Sequence, residues 1–201
     1  MKLYFSPYTR AGRARWMLEE VEAKYELVKF SFATGDHKKP EYLAIHPHGV
    51  VPALEDGDLH LFESSAIVMH LADAFPDKKL APALGSHERA HYYKWMVYVP
   101  ATVDPVLETL TMHTRLLPED KRNPALAADA EKKLKTIGAV LEASIGHKKF
   151  IVGDSFTGAD IILGSAAGWL GFLGKLGDYP NLAAYHKAMS ERPAYKRAYA
   201  D

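Results

Sequence analysis

Residues 46–65 read HPHGVVPALEDGDLHLFESS, and the interpretation of this stretch decides the rest of the chain. Val51 to Leu54 has the look of a short strand with a proline near its start. Glu55 to Asp58 is turn chemistry, because Asp-Gly tolerates a positive φ. Leu59 to Phe62 reads as a second strand, so the two form a hairpin. Glu63-Ser64-Ser65 then opens an apolar-periodic helix, Ala66 to Phe75, for which Ser64 or Ser65 is the expected N-cap.

Each part suits an acidic, peptide-like ligand. A cis bond before Pro52 would turn the Val51 backbone outward and leave its N–H and C=O to pair with an extended peptide. The start of the Ser64 helix offers backbone N–H groups, a hydroxyl and the positive end of a dipole, which suit a carboxylate. Glu63 beside it would balance an ammonium group. Taken singly, each piece is more readily an ordinary edge strand or helix cap. The two together, in this order and one hairpin apart, carry the functional reading.

Working outward, Lys2 to Phe5 is a short strand and Ser6 to Arg10 a loop, since Ser-Pro disfavours helix at Ser6. Ala11 to Glu22 reads as a helix with Ala14, Met17, Leu18 and Val21 on one face. Tyr25 to Phe32 suits a second strand, which makes a βαβ unit. A polar excursion, 33–50, holds a short helix near Pro40 to Ile45. Residues 78–86 are Pro- and Gly-rich and read as a linker. Beyond them no strand pair is apparent. Ser86 would cap a helix from His87 toward Val99, broken or kinked by Pro100 and Pro105 before Val106 to Leu117 resumes. Asn123-Pro124 starts another helix, with Leu126, Ala130, Leu134, Ile137, Val140 and Leu141 as its apolar stripe. Thr157 and Asp160 form a capping pattern before the largely apolar run Ile161 to Leu173, expected to be a buried central helix. Tyr179-Pro180-Asn181 and Arg192-Pro193 open two more. The expected fold class is α/β plus all-α: a βαβ-α-ββα layer over 1–77, a linker at 78–86, and a helical domain over 87–201.

Composition narrows the function. Lys+Arg and Asp+Glu are equal at 25 each among 201 residues, so no charge field points to nucleic acid or an anionic membrane. No apolar run spans a bilayer, and the start MKLYFSPYTR has too short an apolar run for a secretory signal. Cysteine is absent, so any thiol chemistry uses a thiol brought by a ligand; this fits a cytoplasmic protein. His87 and His91 share helical spacing without a third ligand, and no metal site is expected. There is no P-loop, no GxGxxG after a strand and no nucleophile elbow.

The pattern V-P-A-L-x-D-G-x-L-x-L-x-E-S over Val51 to Ser64 resembles the glutathione-binding segment of the cytosolic glutathione transferases. Phe156 to Asp160 and the closing Y-P-x-L-x-x-Y-x-x-A-M-x-x-R-P-A resemble that family's C-terminal half, so the resemblance covers essentially the whole chain. It implies a thioredoxin-like N-terminal domain and a homodimer. It also implies binding of reduced glutathione as thiolate, followed by conjugation to a hydrophobic electrophile in detoxification. Glutathione would be a substrate, held by His37, Val51, Pro52, Glu63 and Ser64. Lys38, Lys39 and His48 are further candidates for its glycine carboxylate, and Val50 stands where the family often has Lys.

A cysteine-like thiol has a pKa of about 8.5, so an enzyme of this kind must stabilise the anion with hydrogen bonds and positive charge. The loop after the first strand holds the candidates: Thr9 or Ser6, then Tyr8, then Arg10, with Tyr4 last. Aligned without gaps, the first residues look most like the beta class, whose Cys position is Arg10 here; aligned on Arg-Ala, Ser6 falls where theta-class enzymes keep a serine. Tyr92, Trp95, Met96, Val99, Met112 and Trp169 are candidates for a hydrophobic-substrate pocket, although such residues are more often core. Asp104 would reach glutathione in a neighbouring subunit, or be a surface acid. Two rival readings are a non-catalytic glutathione- or ligand-binding protein of the same fold, and a glutathione-dependent isomerase.

Overall fold

A computed structural model describes residues 1–200; Asp201 lies outside the described residues. Contacts divide the chain into two compact units. The first holds residues 1–83 and the segment that starts at Glu191; the second is Leu84–Ser190. The boundary near residue 83 falls inside the expected linker. The expected assignment of everything after residue 87 to one helical domain is corrected, because the final segment returns to the first unit.

The first unit is built on a four-stranded sheet: β1 (Lys2–Phe5), β2 (Glu26–Lys29), β3 (Ala53–Asp56) and β4 (Leu59–Phe62), in spatial order β2-β1-β3-β4. β1 and β2 are parallel, joined through α1 (Ala11–Glu20); β1–β3 and β3–β4 are antiparallel. α2 (Pro40–Leu43) precedes the hairpin and α3 (Ser64–Ala74) follows it. Leu3, Leu54 and the inner faces of α1 and α3 make the core, with Trp16, Met17, Leu18, Ile67, Val68 and Leu71 fully buried. β2 is shorter than expected, because Phe32 to Thr34 folds into a single tight turn. The expected cap of α3 is also corrected. The helix already includes Ser64 and Ser65, and the capping position is Glu63, at φ +73° and ψ +113°. Chain reversal from β4 into α3 is thus completed in one residue. α9 (Pro193–Ala198) closes this unit against α1, with Tyr195 edge-on to Trp16 at 4.8 Å.

The second unit is helical. α4 (His87–Tyr98) starts at Ser86, whose hydroxyl accepts the Arg89 N–H at 3.1 Å. Of the break or kink expected at Pro100, the break does not occur. The chain stays helical through a wide turn, Val99–Val103, into α5 (Asp104–Thr111) and a second wide turn, Met112–Leu116. Hydrogen bonds spanning five residues, such as Leu117 N–H to Met112 C=O at 3.0 Å, hold such turns. They give Pro100 room without the clash that a tighter turn would impose.

α6 (Pro124–Ile145) is capped by the Asn123 side chain. Ala130, Leu134, Ile137 and Leu141 face inward, whereas Leu126 and Val140 of the expected stripe are exposed. α7 (Gly158–Phe172) is the buried central helix, and α8 (Pro180–Ser190) packs against it and α6.

Asp160, fully buried, organises this packing. Its carboxylate accepts the N–H of Ile151 and of Thr157, each at 2.8 Å, and the hydroxyl of Tyr185 at 2.8 Å. Burial pushes its carboxyl above the usual range, opposed by these donors. No helix among the described residues is long and apolar enough to cross a membrane.

Candidate functional site

Three segments of the first unit converge. The turn 46–50 is fixed at both ends: His46 N–H donates to Tyr42 C=O and Gly49 N–H to His46 C=O, each at 2.8 Å. The Tyr42 hydroxyl donates to Val50 C=O at 2.5 Å, and Lys38 Nζ to His48 C=O at 3.2 Å. Gly49 sits at φ +60°, and a Cβ there would lie 2.4 Å from the His37 carbonyl oxygen. The turn is therefore pressed against the loop that carries His37. It delivers Val51, whose bond to Pro52 is cis. Val51 lies just before β3, and its backbone N–H and C=O have no hydrogen-bond partner among the described residues.

The second segment is the start of α3. Glu63 is exposed, and its positive φ is a conformation that a residue with a side chain holds only under constraint from its surroundings. Ser64 is buried. Ser65 is also buried, 8% exposed, and its Oγ has no hydrogen-bond partner. A buried hydroxyl without a partner, at a helix N-terminus with unused N–H groups, is what an anionic ligand would complete.

On the third segment, the ring of His37 lies edge-on to Phe32 at 4.9 Å, and its Nδ1 is buried without a partner. Lys39 is instead held by Asp36 at 2.6 Å.

The comparisons give the family. Residues 1–73 match the glutathione S-transferase N-terminal domain and residues 87–193 the C-terminal domain. The chain belongs to the glutathione S-transferase family. A glutathione S-transferase of Hyoscyamus muticus is 34% identical over 187 residues, 90% of this chain and 88% of that protein. Glutathione S-transferase F9 of Arabidopsis thaliana is 30% identical over 211 residues, 100% of this chain and 96% of that protein. Among solved structures, a ternary complex of the bacterial transferase BphK superposes with a TM-score of 0.89 at 29% identity, covering 100% of this chain and 98% of the other. A sphingomonad glutathione S-transferase complexed with glutathione gives 0.88 at 29% identity, with the same coverage.

The loop 6–10 is the segment expected to face the thiol. Its candidates separate. Thr9 Oγ1 donates to Ser6 C=O at 2.7 Å and accepts the Ala11 N–H at 3.2 Å, so this hydroxyl is occupied in shaping the entry to α1. Tyr8 has φ +58° and is 98% exposed, pointing into solvent. Tyr4 is corrected: it is buried and its hydroxyl already donates to Glu55, which commits its proton away from a thiol; burial and this bond push its pKa upward. Arg10 is exposed at the start of α1. Ser6 is buried at the end of β1, and its Oγ has no partner among the described residues.

The pocket candidates separate too. Tyr92, Trp95, Met96 and Val99 are sealed in the core of the second unit, so for these four the packing role is the observed one. Met112 and Trp169 are half-buried, and the Trp169 indole N–H donates to Thr111 Oγ1 at 2.8 Å. Asp104 is fully buried in its own chain, which corrects both its reach toward a neighbouring subunit and its reading as a surface acid. His87 and His91 are exposed. Sequence reasoning missed the exposed apolar residues Leu116 and Phe172, the latter beneath the Arg115 guanidinium at 4.9 Å. The wide turn at Met112–Leu116 breaks the helical spacing that would have marked Leu116, and Phe172 ends α7 inside a run so largely apolar that no single position stands out.

Proposed function

We propose that the protein is a glutathione transferase that binds reduced glutathione along Val51 to Ser65 and adds its sulfur to a hydrophobic electrophile. The observation that carries this is the buried, unpartnered Ser65 Oγ at the start of α3, one hairpin from the unpaired backbone of Val51. The γ-glutamyl carboxylate would take the α3 N-terminus with Ser64 and Ser65, and its ammonium would take Glu63. The cysteinyl backbone would pair with Val51, and the glycine carboxylate would lie toward His37 and Lys38.

Ser6 is the proposed thiolate donor. The β1–β3 register pairs Tyr4 with Ala53, and carried two residues further it sets Ser6 across from Val51. Its hydroxyl would donate to the sulfur anion, with Arg10 and the α1 N-terminus supplying positive potential. Lowering the thiol pKa by about two units corresponds to about 2.7 kcal/mol of anion stabilisation. The thiolate then attacks an electrophilic carbon. A C–S bond forms as a leaving group departs with its electron pair, or a double bond takes up the pair and is protonated by solvent. A homodimer and a cytoplasmic location complete the proposal, the latter supported by the absence of cysteine.

A binding-only role is favoured by one observation: the Thr9 hydroxyl is engaged within its own loop. The deciding experiment is the ultraviolet difference spectrum of the protein with reduced glutathione at neutral pH. Thiolate well above the free-solution fraction supports the transferase. Binding by calorimetry with no thiolate signal supports the binding protein instead. Turnover that regenerates glutathione without conjugate would indicate an isomerase.

A further inference from the structure

We infer that His46 is a positioning residue of the glutathione site, its imidazole pinning the turn that carries Val51 against the end of β4 that carries Glu63. The inference rests on the assignment of Val51 and Glu63 given above.

His46 is 4% exposed. Its ring stacks on Phe62, with centroids 4.6 Å apart and planes 27° from parallel. Phe62 is the last residue of β4 and directly precedes Glu63. The backbone of His46 accepts from Gly49 and donates to Tyr42, so the residue links α2 to the turn that ends at Val51. One side chain thus joins the two strands of structure that would bracket the ligand. The stack fixes the spacing between the Val51 backbone and the strained Glu63, and it is the closer of the two ring pairs between these segments: His48 meets the same Phe62 at 6.5 Å, edge-on.

The imidazole suits this task only when neutral. Its Nδ1 is buried and has no partner, so a proton there would be an unpaired donor on a buried cation. The titratable groups around the ring are Tyr42 on α2, His48 on the turn and Glu63 after β4. Burial lowers the pKa of His46, His48 lowers it further, and Glu63 opposes them. The folded state therefore favours the neutral ring. The contribution is complete above the unfolded value of about 6.5 and is lost as pH falls through the lower folded value.

The test compares His46→Ala with His46→Phe, which keeps an aromatic ring but cannot titrate. His46→Ala should raise KM for glutathione about tenfold while kcat changes less than about threefold, the signature of lost ligand positioning. His46→Phe should restore KM to within about threefold and remove the rise in KM expected of the unsubstituted protein as pH falls below the ordinary histidine range. Amide hydrogen exchange in the free protein gives a readout independent of glutathione. Residues 47–51 and 62–65 should exchange faster in His46→Ala and near the original rate in His46→Phe. Unchanged exchange in His46→Ala overturns the inference, as does a Phe variant impaired as severely as the Ala variant. A protein that binds no glutathione refutes the functional assignment, and the exchange result still decides whether His46 pins the two segments. Should His46→Ala fail to fold, the exchange and pH profile of His46→Phe decide: original exchange with a flat acid limb supports the inference, and faster exchange or a retained limb overturns it.

Discussion

Arg192 grips Glu20 with two parallel hydrogen bonds, Nε to Oε1 at 2.7 Å and Nη2 to Oε2 at 2.8 Å, across 172 residues of sequence. Glu20 also takes the indole N–H of Trp16 at 2.9 Å, so three N–H donors from two side chains meet on one carboxylate at the end of α1. The pair is the polar half of the contact that brings the segment from Glu191 back to the first unit; the rings of Trp16, Tyr195 and Tyr199 are the apolar half. Glu20 is mostly buried, so removal of Arg192 strips charge-assisted bonds rather than a screened surface pair. Arg192→Ala should cost about 2 kcal/mol in urea unfolding. Arg192→Lys should recover less than half of that, because an ammonium cannot reproduce the fork.

Asp160 predicts a larger loss in the second unit. Its carboxylate satisfies the N–H groups of Ile151 and Thr157 and the hydroxyl of Tyr185. Asp160→Ala leaves buried donors without partners and should destabilise by about 3 kcal/mol or more, read as a lowered denaturant midpoint. Asp160→Asn should cost less. Its carbonyl still accepts from Ile151 and Tyr185, while its amide group turns a donor toward the Thr157 N–H.

What the sequence disclosed and what it hid have physical causes. The hairpin of β3 and β4 was legible because Asp56-Gly57 marks the turn and apolar residues flank it. Ser86, Asn123 and Thr157 announced helix starts through their side chains. The positive φ of Glu63 left no such mark, since nothing in Phe-Glu-Ser-Ser specifies a one-residue reversal, and the cap was expected one or two residues late. Pro100 suggested a break because its local preference is strong; the wide turn from Val99 absorbs it through longer-range hydrogen bonding. Tyr92 and Trp95 were ambiguous on composition alone, and burial resolves them as core. The vacant Oγ of Ser65 could be found only once neighbouring atoms were placed.

Gly49 tests the turn that supports Val51. At φ +60° it occupies a conformation that other residues rarely adopt, and a methyl group there would meet the His37 carbonyl at 2.4 Å. That oxygen belongs to backbone and cannot swing away. Gly49→Ala should therefore lower stability by about 1–3 kcal/mol. It should also separate the 46–50 turn from the His37 loop, toward which the proposed function places the glycine carboxylate of glutathione. The expected kinetic result is a severalfold rise in KM for glutathione with kcat largely kept. Calorimetric titration beside thermal unfolding checks both parts.

Ser6 and Thr9 differ in what their hydroxyl protons already do, and this separates their variants. Thr9 Oγ1 gives its proton to the Ser6 carbonyl and receives the Ala11 N–H. Thr9→Ala should cost about 1 kcal/mol of stability, as loss of a helix-entry bond does, and should leave most of the bound thiolate in place. The Ser6 hydroxyl has no such commitment and lies at the end of β1 opposite the Val51 segment. Ser6→Ala should leave stability within about 0.5 kcal/mol, since an alanine at this edge removes no bonded partner. It should raise the pKa of enzyme-bound glutathione by about one unit or more, by removing the hydrogen bond to the anion. Titration of the thiolate absorbance against pH, with each variant saturated in glutathione, reads the two effects apart. An unchanged thiol pKa in Ser6→Ala together with a raised one in Thr9→Ala would transfer the donor role to Thr9. An unchanged pKa in both would leave Arg10 and the α1 N-terminus as the source of activation, and Arg10→Ala would then abolish the thiolate signal.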